Sequence, residues 1–356
     1  MNEAFVVLAG NKINTTLDAF FSHLKGTGAN LNHETVKAMW DTFFMVVPVV
    51  STTFSSVERM FKQLCPQDIP WLFIDEAGQA VPQATAGAIW RSKRVVVVGD
   101  PFQIEPVVTI PTLIIDNISK FHGLTKQHIH SSLSAQTMAD RCNPYGWHNG
   151  RTWIGSPLRV HRRCIDPMFS ISNKIAYNGL MFNSTLLPEK VQTQFETQFF
   201  PCTGEIEPGC RHFVRNQFIK IQEILLNEIN MSRGLPDIFV ISPFSEVAYK
   251  LRVELLKPIK QTLRRIGISN GDEELSEWLS GHIGTVHTFQ GKQAEGVILC
   301  LGLDSKSIGA ANWAASKPNL LNVAITRAKY RFIAIGDENL WLFQDYFEEL
   351  STLNKD

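Results

Sequence analysis

The sequence has 356 residues, 44% of them hydrophobic and 19% charged, and its 34 Lys plus Arg balance 34 Asp plus Glu. That is long enough for two domains with buried cores, and the composition excludes a disordered or fibrous chain. Zero net charge means that any attraction to nucleic acid comes from a local basic groove. No apolar run reaches the ~18 residues of a membrane span and no signal-peptide pattern opens the chain, so a cytoplasmic compartment and no membrane partner are expected.

In chain order, Phe5-Val6-Val7-Leu8 reads as a first strand, followed by an amphipathic helical pattern reaching about Phe44. Val46-Val47-Pro48-Val49-Val50 reads as a buried strand running into Ser51, Thr52 and Thr53, and residues 71–74 and 95–98 are two further apolar runs. Short runs without polar alternation predict strands covered on both faces, as in a parallel sheet between helices. Ligands of such sheets sit beyond the carboxyl ends of the strands, which directs attention to Ser51 to Thr53, Asp75-Glu76 and Gly99-Asp100.

From about Thr109 to Trp153 the pattern weakens, and a second α/β unit follows. There Phe218, Ile221, Leu225 and Ile229 recur at helical spacing, Gly234 is placed to cap the helix end, and residues 238–241 form the next strand. Further strands are expected near residues 283–286, 297–301 and 332–335. The domains expected are 1–125, a connecting region 126–153, and 154–356.

The six cysteines show no C-x-x-C spacing, which favours reduced structural thiols, and the irregular spacing of Cys202, Cys210 and His212 speaks against a metal site there.

Asp75-Glu76 at a strand end suits nucleotide hydrolysis, since one carboxylate can hold Mg²⁺ through water while the next polarises the attacking water. Acidic residues at a helix amino terminus also favour the macrodipole, so the pair alone does not decide. It is followed by Gly99-Asp-Pro-Phe-Gln-Ile104, then Pro157-Leu-Arg-Val-His-Arg-Arg-Cys164, Gly284-Thr-Val-His-Thr-Phe-Gln-Gly291 and Asn322-Val-Ala-Ile-Thr-Arg-Ala-Lys329.

Together with Phe73-Ile-Asp-Glu-Ala-Gly-Gln-Ala80, this series resembles the motifs of superfamily 1 nucleic-acid helicases, in the group of the nonsense-mediated-decay helicase and its replication relatives. The resemblance covers roughly residues 46–337. It implies an α/β fold of two RecA-like (P-loop NTPase) domains with parallel sheets, the first incomplete, with ATP and Mg²⁺ as cofactors bound between them. By the same resemblance Asp75 would order Mg²⁺ through water, Glu76 would be the general base, and Gln103 would sense the γ-phosphate. Arg327 and either Arg163 or its neighbour Arg162 would reach the phosphates as arginine fingers. Gly99, Asp100, Gln290, Gly291 and Gln293 would lie against the nucleotide. Single-stranded DNA or RNA would run past Ser51, Thr52, Thr53, Ser242, Pro243, Thr285 and His287, whose short polar groups suit contact with phosphates rather than bases.

Two departures stand out. Gln293 occupies a position where the family carries glutamate near the nucleotide sugar, and the G-x-x-x-x-G-K-[ST] phosphate loop is missing. Ala9-Gly10-Asn11-Lys12 and Lys25-Gly26-Thr27-Gly28 are at best remnants of it. With 74 residues before Asp75, an amino-terminally truncated first domain is expected, ATP binding being conditional on a loop supplied by the missing amino-terminal helicase portion. The alternative is a non-catalytic module derived from a helicase, binding nucleic acid or a protein.

Overall fold

A computed structural model describes residues 2–28, 30–125, 130, 133–150, 152–268 and 271–354. The connecting region expected over 126–153 thus lies partly outside the described residues. The chain divides into two compact units, one of residues 1–101 with 105–144, the other of residues 102–104 with 145–356.

In the first unit the opening apolar run is not a strand. Asn2–Leu8 is helical and is followed by the helices Gly10–Leu24 and His33–Val46. Four apolar residues fit a helical turn as well as a strand, and here they continue the helical pattern beside them. The second expected strand, at residues 46–50, is also absent: the helix ends at Val46, and residues 48–50 have no regular structure, with Val49 82% exposed. Pro48 lacks an N–H for a ladder and turns the residue before it away from helix.

The strands that do form are β1 (Leu72–Ile74) and β2 (Val95–Val97), paired in parallel with Ile74 opposite Val97. They were expected to be buried on both faces, but Phe73 is 68% exposed. A two-stranded sheet is covered on one side only here, by Ile74 packing with Ala77, Ala80 and Ala135. A second small cluster joins Phe20, Val36, Trp40, Phe61 and Leu64.

The second unit begins with the hairpin β3 (Gly146–Asn149) and β4 (Thr152–Gly155) and the short parallel pair β5 (Val160–His161) and β6 (Phe182–Asn183). Its main sheet uses β7 (Gln198–Pro201), β8 (Ile238–Ser242), β9 (Ile283–Thr285), β10 (Ala294–Cys300) and β11 (Ala328–Gly336), in the order β7-β11-β10-β8-β9, every pairing parallel. All five residues of β8 are buried. Since successive side chains point to opposite faces, helices must cover both sides of this sheet. Helix Arg215–Ser232 buries the expected Phe218, Ile221, Leu225 and Ile229. Its carboxyl end differs from expectation: Arg233, not Gly234, takes the left-handed capping position at φ 53°. Among the described residues no helix is long and apolar enough to cross a membrane.

Candidate functional site

In the first unit the register of β1 with β2 carries Asp75-Glu76 and Gly99-Asp100 out of the sheet side by side. The ladder continues past the strands, with Val98 N–H donating to Ile74 O at 2.8 Å and Ala77 N–H donating to Val98 O at 2.9 Å. Two glycines permit this closeness: a Cβ on Gly78 would stand 2.8 Å from Asp100 O, and one on Gly99 would stand 2.7 Å from Gly78 N. Any side chain would drive the two loops apart. Glu76 has φ 51°, a left-handed conformation that costs a non-glycine residue. Asp75 is exposed and accepts from the Glu76 N–H at 2.9 Å through Oδ1, while Gln79 Nε2 donates to Glu76 Oε2 at 3.1 Å. An exposed strand-end carboxylate fits a hydrated Mg²⁺.

One residue here escaped the sequence reading. Gln136, near the start of helix Ala135–Cys142, is 6% exposed, and its N–H donates to Ala77 O at 3.1 Å. Its Nε2 donates to Asp140 Oδ1 at 2.8 Å, which leaves its buried Oε1 beside Gly99 without a hydrogen-bond partner among the described residues. No motif signals it.

Ser51, Thr52 and Thr53 are exposed, and Thr53 is the N-cap of helix Phe54–Met60. The segment 9–12 does not form a phosphate loop, since Gly10 to Lys12 are already the first turn of helix Gly10–Leu24. Residues 25–28 form the turn that leaves it, Gly26 having φ 74°.

The second unit gathers the remaining motifs. Phe102 to Ile104, the tail of the motif at residues 99–104, is held by helix Asn319–Ile325. Asn322, wholly buried, donates from Nδ2 to Phe102 O at 2.9 Å and to the Tyr177 hydroxyl at 3.1 Å, and its Oδ1 accepts from Ser172 Oγ at 2.7 Å. Asn319 Nδ2 donates to Gln103 O. The Phe102 ring meets Tyr177 edge-on at 5.9 Å.

Arg327 follows the same helix and is 0% exposed. Its guanidinium donates to Val323 O at 3.1 Å, Lys292 O at 3.0 Å and Phe289 O at 3.4 Å, so the fork braces the turn that carries Gln290 and Gly291. Gly291 takes φ 75° in that turn, and Gln293 beyond it is exposed. Glu295, the nearest carboxylate to that position in sequence, accepts instead from the N–H groups of Gln192 and Thr193 at 3.0 and 3.1 Å.

The motif at residues 157–164 adjoins this region through the following Ile165, whose N–H donates to Lys329 O at 3.1 Å. Arg162 is exposed and Arg163 half-buried. Burial pushes the wholly buried Cys164 thiol up to about 12, against the lowering charges of Arg163 and Arg327.

His161 is driven down to about 4 by burial first and by the Arg163 charge second. The neutral ring also serves as an acceptor: Nε2 accepts the Cys164 N–H at 3.0 Å. A native pKa below the ordinary 6.5 means that stability is whole above pH 6.5 and declines as pH falls toward about 4. Discounted for partial exposure, the loss should be about 1–2 kcal/mol. Urea denaturation at pH 7 and pH 4.5 of the wild type and His161→Gln checks it; an equal loss in both would exclude His161 as the source.

Of the strand-contact candidates in this unit, Thr285 is half-buried at the end of β9 and His287 is exposed, its imidazole pushed below its usual range by partial burial. Ser242 and Pro243 are buried, and Ser242 Oγ accepts from the Phe244 N–H at 3.3 Å. Their side chains close the turn after β8 rather than face solvent.

Comparison with known proteins bears on the family of the chain. An AAA domain family profile matches residues 22–110, and a second AAA domain profile matches residues 156–339, more than half of the chain. The chain is 24% identical over 282 residues to "Regulator of nonsense transcripts 1" of Dictyostelium discoideum, covering 75% of this chain and 18% of that protein. It is 25% identical over 284 residues to "ATP-dependent helicase upf1" of Schizosaccharomyces pombe, covering 75% of this chain and 26% of that one. The chain therefore spans about a quarter or less of the length of these relatives. Among solved structures it is similar to Arterivirus nonstructural protein 10 (helicase), at a TM-score of 0.33 and 16% identity, covering 80% of this chain and 41% of that one. With its ordered motif series, its parallel α/β sheets and two AAA domain matches, the chain belongs to the superfamily 1 helicase family.

Proposed function

We propose that this chain is the carboxyl-terminal motor segment of an ATP-dependent helicase or translocase, moving on single-stranded DNA or RNA, with the triphosphate gripped by a loop that an amino-terminal helicase portion supplies. The observation that carries it is the meeting of Asp75-Glu76 with Gly99-Asp100 at the ends of paired parallel strands, through a contact that only glycine permits at positions 78 and 99. Asp75 would hold a hydrated Mg²⁺, which supplies charge neutralisation for the phosphates. Glu76, its backbone already set in the left-handed region, would orient a water and accept its proton. Gln103 would report nucleotide state to the helix Asn319–Ile325 that precedes Arg327, since Asn319 and Asn322 tie its segment there. Ser51 to Thr53, Thr285 and His287 would follow the strand through its phosphates.

A second reading, a binding module without catalysis, is favoured by Arg327, whose guanidinium is wholly buried and bonded to backbone carbonyls. Reaching a phosphate would require giving up those bonds.

The test is ATP hydrolysis and fluorescence-anisotropy strand binding by the folded 356-residue chain, with single-stranded DNA and RNA, beside Glu76→Gln. Strand binding without hydrolysis is the expected result. Strand-stimulated hydrolysis abolished in Glu76→Gln would place the phosphate grip within these residues and overturn the requirement for a supplied loop. Neither binding nor hydrolysis would overturn the motor reading.

A further inference from the structure

His33, Cys65 and Asp68 belong to no recognisable motif, yet the first unit brings them to one point. His33 opens helix His33–Val46, whose amino end is fixed by the Asn32 side chain accepting the Thr35 N–H at 2.9 Å. Cys65 and Asp68 are the two ends of the turn Cys65-Pro66-Gln67-Asp68, in which Gln67 has φ 66° and Asp68 N–H donates to Cys65 O at 3.3 Å. The turn closes a second time through its side chain, Cys65 N–H donating to Asp68 Oδ2 at 2.7 Å. His33 Nε2 lies 2.6 Å from that same oxygen. A nitrogen of His33, the Cys65 sulfur and a carboxylate oxygen of Asp68 all fall within 4.8 Å of one another.

We propose that His33, Cys65 and Asp68 form a zinc site, binding Zn²⁺ through one imidazole nitrogen, one thiolate and one carboxylate oxygen, with water in the fourth position. The donor set selects the metal. Mg²⁺ and Ca²⁺ take oxygen alone, whereas Zn²⁺ accepts nitrogen, sulfur and oxygen together. Zinc bonds of about 2.0–2.3 Å set tetrahedral ligands roughly 3.3–3.8 Å apart. Binding would bring the exposed Cys65 and His33 side chains into that range, while Asp68, with a side chain 8% exposed, stays anchored by the Cys65 N–H in the manner of an orienting outer-shell bond. On binding, the sulfur–zinc bond replaces the sulfur–hydrogen bond of Cys65, and the proton leaves to solvent.

The placement also gives the metal a structural task. His33 and the Cys65 turn flank the small cluster of Val36, Trp40, Phe61 and Leu64, so the ion would join the helix to the turn across one of the slighter cores of the molecule. Small cores gain most from such a cross-link.

Titration of the metal-stripped full chain with Co²⁺, then displacement by Zn²⁺, tests the site. One equivalent of Co²⁺ should give the near-ultraviolet thiolate charge-transfer band and the intense visible bands of a tetrahedral ion. Cys65→Ser should remove the charge-transfer band and weaken Zn²⁺, measured against a chromogenic chelator, by about tenfold or more. Cys142→Ser, which removes another exposed thiol, should change neither. Zinc should raise the thermal midpoint of the wild type and leave that of Cys65→Ser unmoved. Weak octahedral cobalt bands, no band at all, or a charge-transfer band that survives in Cys65→Ser would each overturn the proposal.

Discussion

Replacing Arg327 by alanine should destabilise the unit of residues 145–356 by on the order of 4 kcal/mol, because it empties the volume of a wholly buried side chain and removes the guanidinium's bonds to three carbonyls, of which Phe289 O keeps the Lys292 N–H and Val323 O the Thr326 hydroxyl. Val323 O, Phe289 O and Lys292 O are all acceptors of its fork. The loss should be local before it is global: the turn after the short helix Val286–Phe289, carrying Gln290 and Gly291, should exchange its amides fastest. Arg327→Lys should rescue little, since one ammonium cannot reach carbonyls on both sides of a planar fork and stays charged inside the unit. Guanidinium denaturation with hydrogen exchange at residues 286–293 reads both effects. A change below about 1 kcal/mol in Arg327→Ala would show that the bonds are not made in solution.

Asn322→Leu is expected to cost about 2–3 kcal/mol at nearly constant side-chain volume, because it strips Phe102 O of a donor and the Ser172 hydroxyl of an acceptor inside the protein. Its sharper consequence concerns the motif at residues 99–104. Phe102 to Ile104 would keep the Asn319 bond to Gln103 O and the Phe102–Tyr177 contact but lose their buried anchor. Hydrogen exchange over residues 102–105 should accelerate about tenfold or more, an effect that a purely global loss of stability would spread over all of the main sheet instead. If the two regions accelerate equally, the amide is a core residue and not an anchor for the motif.

Most of the sheet of the second unit was legible from sequence for a plain reason. β8 and the central stretches of β10 and β11 are apolar runs buried on two faces, whereas the edge strand β7, which opens on Gln198, was not read from the sequence. The first unit was harder. Phe5-Val6-Val7-Leu8 and residues 46–50 have the same composition as a buried strand, but the first continues a helix and the second is interrupted by Pro48. Composition alone does not separate those cases, because a strand needs a neighbour to pair with and the local sequence does not name one.

Chemical type and order were in the sequence: which residues carry carboxylates, guanidiniums and amides, and that they follow one another as in a superfamily 1 helicase. Which of them meet was decided by the tertiary structure. The parallel register of β1 and β2 sets Asp75-Glu76 beside Gly99-Asp100, and Arg327 is turned inward onto carbonyls. Ser242, which reads as a surface contact, is buried in a turn. Gln136, Asn322 and the His33, Cys65 and Asp68 trio acquire meaning only through neighbours far away in the chain. The physical reason is the same in each case. A residue's intrinsic chemistry is local, whereas hydrogen-bond partners, burial and metal-ligand distance are properties of pairs, and pairs distant in sequence exist only once the chain has folded.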